Sequence, residues 1–203
     1  MKLYYKPGAC SMAARIVLNE ADAPYTDERV DTETGRTASG ADYRAINPRG
    51  YVPALQQSDG TVLTENTAIL GLLAELYSVR GALPDDAYGR ARLAECLSFL
   101  SSELHKAFGP FFAGRALTPE ERDGALARLA RQIGHVEAML ADGRDFLLGD
   151  EFSVADAYGF VILNWTGFIG VSLVPWPHVL AFHARIGTRP SVALALKQEG
   201  LAA

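Results

Sequence analysis

The chain changes texture once, and that change restricts its possible folds more than any other feature. Through about residue 80, short strand-like runs alternate with helical periodicity; beyond Arg80-Gly-Ala-Leu-Pro-Asp-Asp86 the strand patterns vanish. Glycine, proline and paired acids at that point are the composition that closes one packed unit and opens another. In the first unit, Lys2–Tyr5 and Tyr25–Val30 have strand character on either side of a helical stretch, Ser11–Ala21. Ala54–Gln57 and Thr61–Leu63 flank Asp59-Gly60, a two-residue hairpin signal. Asn66–Tyr77 is helical, with a broad apolar face from Ile69, Leu70, Leu72, Leu73 and Leu76. The predicted order is βαβ and then ββα. In the second unit, helices are expected over Tyr88–Phe112, Pro119–Ala141, Val154–Phe168, His178–Ile186 and Ser191–Gln198. Thr118-Pro119-Glu120-Glu121 is a strong helix start, and Ser153-Val-Ala-Asp156 has the spacing of a capping box. The expectation is an α/β domain over residues 1–80, a linker over 81–86 and an all-α domain over 87–203.

Composition removes several function classes. A net charge of −5 with scattered Lys and Arg offers no footprint for nucleic acid. Two cysteines, Cys10 and Cys96, make neither a disulfide framework nor a zinc set, so no metal is expected and a reducing compartment fits. Met1-Lys-Leu-Tyr-Tyr5 enters a strand pattern without the apolar core of a signal peptide. The longest apolar stretch, Ala157 to Val174, is broken by Asn164, Thr166, Ser172 and three glycines, and has the look of a buried helix rather than a membrane span. A soluble cytoplasmic protein is expected.

Chemistry concentrates in Asn47-Pro-Arg-Gly-Tyr-Val52-Pro53 and in Thr64-Glu65-Asn66. Proline fixes φ, lacks an N–H and is the residue before which a cis bond is readily reached, so Val52-Pro53 can present a backbone edge. Glu65-Asn66 opens a helix, where free N–H groups and the dipole favour an anion. Together they suit a ligand that is itself a short peptide, with an amide to pair and a carboxylate and an ammonium to anchor. Cys10 sits just before a predicted helix, so its thiol pKa is expected below the free value of about 8.5. Ser98, Ser102 and His105 are spaced to lie near one helix face. Cys96, among Leu93, Leu97 and Leu100, is expected in the core, and Ser153 with Asp156 is expected to nucleate a buried helix.

Five segments, in order along the whole chain, resemble bacterial glutathione transferases, most closely the beta class: Met1 to Ser11, Asn47 to Pro53, Thr64 to Leu70, Ser101-Ser-Glu-Leu-His105-Lys106, and Leu148 to Tyr158. The resemblance implies a thioredoxin-like first domain that binds glutathione, a helical domain that completes a pocket for a small electrophile, and a homodimer. It implies Cys10 beside the glutathione sulfur with His105 assisting, and Tyr5 and Ser11 as reserve hydroxyls. It implies glutathione contacts from Tyr51, Val52 and Pro53 (a cis bond turning the Val52 N–H and C=O outward), from Glu65 and Asn66, and from Ser98, Ser102, His105 and Lys106. Ala9, Phe108, Phe112 and Trp165 would wall the electrophile pocket. The family's lysine in the loop after the second strand is Gly35 here, leaving Arg36 beside it for the glycyl carboxylate; asparagine replaces the usual serine at 66. The implied activity is glutathione conjugation. Disulfide or peroxide reduction through a Cys10–glutathione mixed disulfide, and ligand carriage without turnover, are the competing functions.

Overall fold

The computed structural model describes residues 1–77 and 86–202. The first half contains β1 (Lys2–Tyr5), α1 (Met12–Glu20), β2 (Thr26–Asp31), β3 (Arg36–Thr37), β4 (Ala54–Gln56), β5 (Val62–Thr64) and α2 (Asn66–Leu76). The strands form one sheet in the order β3-β2-β1-β4-β5, with β1 parallel to β2 and the other pairs antiparallel. Leu3 pairs with Leu55 and Leu55 with Leu63, which sets the hairpin register on apolar residues. Both faces of the sheet are covered. Leu3 and Leu55 join α1 and α2 in the main core, while Tyr4, Val30, Tyr43 and Ala54 form a smaller cluster. This is the thioredoxin-like arrangement. β3 was not expected: two residues are too short to show alternation.

The second half is helical: α3 (Ala87–Phe99), α4 (His105–Ala107), α5 (Pro119–Leu140), α6 (Val154–Phe168), α7 (Pro177–Gly187) and α8 (Pro190–Gln198). The single helix expected over Tyr88–Phe112 is instead α3, a π-helical stretch over Leu100–Leu104, α4 and a 3₁₀ turn over Gly109–Phe112. Apolar periodicity alone does not distinguish i→i+4 from i→i+5 bonding. α6 is buried along nearly its whole length, as an all-round apolar helix must be, and packs on α1, α2, α3 and α7. The helix start expected at Thr118 forms, and it closes as a capping box: the Glu121 N–H donates to Thr118 Oγ1 at 3.2 Å, and the Thr118 N–H to Glu121 Oε2 at 2.9 Å. The expected linker at 81–86 lies outside the described residues except for Asp86, whose carboxylate caps α3 by accepting the Gly89 N–H at 2.8 Å.

The halves are joined through α1, which packs on both α6 and α8. Buried Arg15 donates to Glu199 at 3.0 Å and to Asp27, and Glu199 also accepts the Gly8 N–H at 2.8 Å. The loop before Cys10 is thereby held by the far end of the chain.

Candidate active site

Strand directions bring the chemistry to one edge of the sheet. The carboxyl ends of β1, β2 and β5 and the amino end of β4 share that edge. Along it, in strand order, stand Thr32 after β2, Cys10 after β1, Val52-Pro53 before β4, and Glu65-Asn66 after β5. Three inter-strand spacings make about 14 Å, somewhat more than the roughly 11 Å backbone span of an extended tripeptide. The helical half supplies the opposite wall through Ser102, His105, Lys106, Phe112 and Tyr158, enclosing a cleft of about 1100 Å³.

The Val52–Pro53 bond is cis. The preceding turn is held from behind, where the Tyr51 carbonyl accepts from the Tyr43 hydroxyl and from Asn47 Nδ2, each at 2.7 Å. The Val52 carbonyl faces the cleft and accepts the Cys10 thiol at 3.5 Å. Glu65 has φ 71° and ψ 119°, in the left-handed region that a β-carbon disfavours. Such strain collects at ligand sites and persists where the surroundings over-determine it. The Glu65 carboxylate, exposed at the cleft, is paired with Arg49. Asn66 is 8% exposed, yet neither its Oδ1 nor its Nδ2 has a hydrogen-bond partner of good geometry, the Tyr158 hydroxyl being the polar group near its side chain. A buried amide with nothing to bind is costly, and this one lines the cleft.

On the opposite wall, His105 Nδ1 shares a hydrogen bond of 2.8 Å with the buried Tyr158 hydroxyl. The His105 ring meets Trp165 edge-on at 4.7 Å, and Trp165 Nε1 donates to the Gly8 carbonyl at 2.8 Å. Burial holds His105 down at about 4, with Lys106 adding to the effect, so the imidazole is neutral at pH 7. Burial also pushes the Tyr158 phenol up, and the nearby Cys10 adds to that.

Several expectations need correction. Burial pushes the Cys10 thiol up to about 12, overriding the N–H groups of Cys10 and Ser11 and the charge of Lys106, so it is a protonated donor and not an activated thiolate. Neither reserve hydroxyl lines the cleft: Ser11 Oγ bonds back to the Lys6 N–H and carbonyl, each at 3.3 Å, and the Tyr5 ring lies under the Arg15 guanidinium. Arg36 turns away, donating to the Gly40 carbonyl at 3.2 Å. Ser98 is exposed and donates to the Ala94 carbonyl at 2.7 Å outside this cleft, one turn before Ser102. Phe108 and Trp165 stand behind the wall, stacked edge-on with rings 5.5 Å apart; only Ala9 and Phe112 of the expected apolar set reach the cleft. Tyr51, Val52, Pro53, Glu65, Asn66, Ser102, His105 and Lys106 all line it. Tyr158, Lys6, Arg44 and Arg49 also line it and were not singled out. Arg49 lies within the Asn47–Pro53 segment and Lys6 four residues before Cys10, whereas Tyr158 meets its site neighbours only through segments remote in sequence.

The fold and this edge define a thioredoxin-like protein with a helical partner domain and a peptide-sized cleft between them. Residues 1–75 match the glutathione S-transferase N-terminal domain family and residues 119–185 its C-terminal domain family. The chain is 41% identical over 203 residues to glutathione S-transferase GstA of Escherichia coli O157:H7, covering 99% of this chain and 100% of that one. A beta-class glutathione S-transferase of Sphingomonas chungbukensis superposes with a TM-score of 0.93 at 41% identity, covering 100% of both chains. A sphingomonad glutathione S-transferase solved in complex with glutathione gives the same score, identity and coverage. The chain belongs to the glutathione S-transferase family, among its bacterial beta-class enzymes.

Proposed function

We propose that the cleft holds glutathione extended along the sheet edge, its γ-glutamyl end at Glu65 and Asn66, its cysteinyl amide at Val52 and its sulfur at Cys10, and presents that sulfur to a small apolar electrophile. The observation that carries this reading is Asn66, a buried amide with both polar atoms unpartnered at the mouth of α2. A γ-glutamyl carboxylate would satisfy Nδ2 and meet the free N–H groups of the helix start. Glu65 would exchange its pairing with Arg49 for the ammonium.

The chemistry follows from the correction at Cys10. A thiol near pKa 12 is a neutral S–H donor, so Cys10 would give its hydrogen bond to the incoming thiolate in place of the Val52 carbonyl. Neutral His105, with Nδ1 taken by Tyr158, keeps Nε2 to face the same sulfur, and Lys106 adds positive charge. The glutathione proton leaves to solvent, the thiolate attacks an electrophilic carbon, and a C–S bond forms as the leaving group departs. Each pKa unit of thiolate stabilisation corresponds to about 1.4 kcal/mol. Ala9 and Phe112 would take the apolar part of the electrophile.

The same reading divides the chain into a glutathione domain over residues 1–80 and an electrophile domain over 87–203, pairs two copies as a homodimer, and sets the enzyme in the cytoplasm. No helix among the described residues is long and apolar enough to cross a membrane, and both cysteines are free. The decisive test is Cys10→Ala. Conjugation of an aryl halide should persist, reduced by about 10-fold or less, since one donor is lost and the thiolate's other contacts remain. Complete loss of conjugation, with a Cys10–glutathione disulfide trapped in the wild type, would replace this reading by the redox one.

A further inference from the structure

One hydroxyl stands between the two walls of the cleft. Tyr158, early in α6, is buried, and α6 packs against both α2 and the π-helical stretch that leads into His105. Its hydroxyl therefore lies near the Asn66 side chain on one wall and bonds His105 Nδ1 at 2.8 Å on the other. Among the described residues it is the only hydrogen-bond partner of the His105 ring, whose orientation is fixed by edge-on contacts with Trp165 and Tyr158. A neutral imidazole carries one N–H, and the nitrogen that holds it decides whether the far end of the ring donates or accepts. His105 is such a neutral ring at pH 7, and burial of the phenol keeps the Tyr158 proton in place. That single proton has two possible acceptors, His105 Nδ1 and Asn66 Oδ1. If it goes to Oδ1, the phenol oxygen accepts from Nδ1–H and Nε2 is left with a lone pair, which repels a thiolate. If it goes to Nδ1, Nε2 holds the hydrogen and can donate to one.

We infer that Tyr158 is a positioning residue for the sulfur chemistry: its hydroxyl, accepting from Asn66 Nδ2, donates to His105 Nδ1 and so keeps the imidazole hydrogen on Nε2, aimed at the bound sulfur. This rests on the glutathione reading above. Asn66 sets the direction. A carboxylate at the start of α2 takes one Nδ2 hydrogen and leaves the other for the Tyr158 oxygen, whose own proton is then committed to His105. The donors run in one sense from the γ-glutamyl seat to the sulfur, Asn66 to Tyr158 to His105, and bonds aligned in this way polarise one another. Filling the seat at one end of the tripeptide thereby fixes the donor at its reactive atom. No proton is transferred along the chain, and Tyr158 itself does not touch the electrophile.

The test uses Tyr158→Phe in the full chain, which removes one oxygen and keeps the ring. The pKa of the bound glutathione thiol, read from the ultraviolet absorbance of its thiolate against pH, should rise by about one unit, a tenfold loss of thiolate stabilisation. Affinity for S-methylglutathione, which has no thiol to ionise, should stay within about twofold of wild type by calorimetry, a separation that a merely structural role would not produce. Asn66→Ala, saturated with glutathione, should raise the same thiol pKa and add nothing when combined with Tyr158→Phe, because the two act through one chain. Nitrogen-15 correlation spectra of the S-methylglutathione complex should show His105 as the Nε2–H tautomer in wild type and not uniformly so in Tyr158→Phe. An unchanged thiol pKa in Tyr158→Phe, an equal fall in S-methylglutathione affinity, or an Nδ1–H tautomer in the wild-type complex overturns the assignment and leaves the glutathione reading intact. Should Tyr158→Phe not fold, the wild-type tautomer decides alone. Failure of wild type to bind S-methylglutathione at millimolar concentration overturns the glutathione reading itself.

Discussion

Two helices in this molecule begin with the same kind of chemistry and come to opposite ends. At the start of α6, Asp156 is fully buried and saturated: its carboxylate accepts from the Leu147 N–H, the Ser153 N–H and the Ser153 hydroxyl, each at 2.7 Å. At the start of α2, Asn66 is almost as deeply buried and its amide makes no hydrogen bond of good geometry, while Glu65 ahead of it holds a strained backbone. Burial is common to both, so burial does not separate structural from functional groups. Saturation does. A polar group whose partners are all present stabilises the fold, and one whose partners are missing marks where a ligand has to arrive.

Substitutions should pull the two apart. The largest effect is expected from Asp156→Ala, which strands three buried donors; unfolding in denaturant should show a loss of about 3 kcal/mol, with glutathione affinity unchanged in the folded fraction. Asn66→Ala should give the reverse pattern: stability within about 1 kcal/mol of wild type, because no hydrogen bond is lost, and glutathione binding weakened about 10- to 100-fold by calorimetry. If Asn66→Ala destabilised the chain as much as Asp156→Ala, the distinction between the two helix starts would fail.

Acid should sharpen the contrast, because the buried carboxyl at the start of α6 and the buried imidazole on the cleft wall opposite Asn66 titrate in opposite senses. Burial raises Asp156 to about 6 from its ordinary 3.8, so its contribution to stability is whole below 3.8 and is lost as pH rises through 6. Burial lowers His105 to about 4 from 6.5, so its contribution is whole above 6.5 and is lost as pH falls through 4. Stability measured from pH 4 to 6.5 should therefore rise more shallowly with pH in His105→Gln than in wild type, by up to one proton. Asp156→Asn should rise more steeply than wild type over the same range. The smallest effect is expected from Glu65→Gly. Releasing a left-handed φ of 71° should add up to about 1 kcal/mol of stability, the exposed pair with Arg49 being worth little, while glutathione binding falls.

Much of this protein was legible in the order of its residues. The switch from alternating strands and helices to helices alone, the Asp59-Gly60 hairpin, and the Thr118 and Ser153 caps are local signals, and short-range geometry is enough to execute them. Val52, Glu65, Asn66 and His105 were identifiable because each sits at a fixed place in a recurring segment. What the order of residues could not supply was environment. The pKa of Cys10 depends on how much protein covers it, and that covering outweighs the nearby N–H groups that local sequence predicts. The π stretch over Leu100–Leu104, the placement of Phe108 and Trp165 behind Phe112, and the bond between Tyr158 and His105 all depend on packing between remote segments. Arg44 is the clearest case. It stands three residues before the Asn47–Pro53 segment, yet only the sheet order, together with a glycine nine positions earlier, leaves its side chain in the cleft. Sequence determined which elements form and which residue types are at hand; the tertiary structure decided which of them meet, how dry their meeting place is and which are left without a partner, because solvation and contact are properties of neighbours in space.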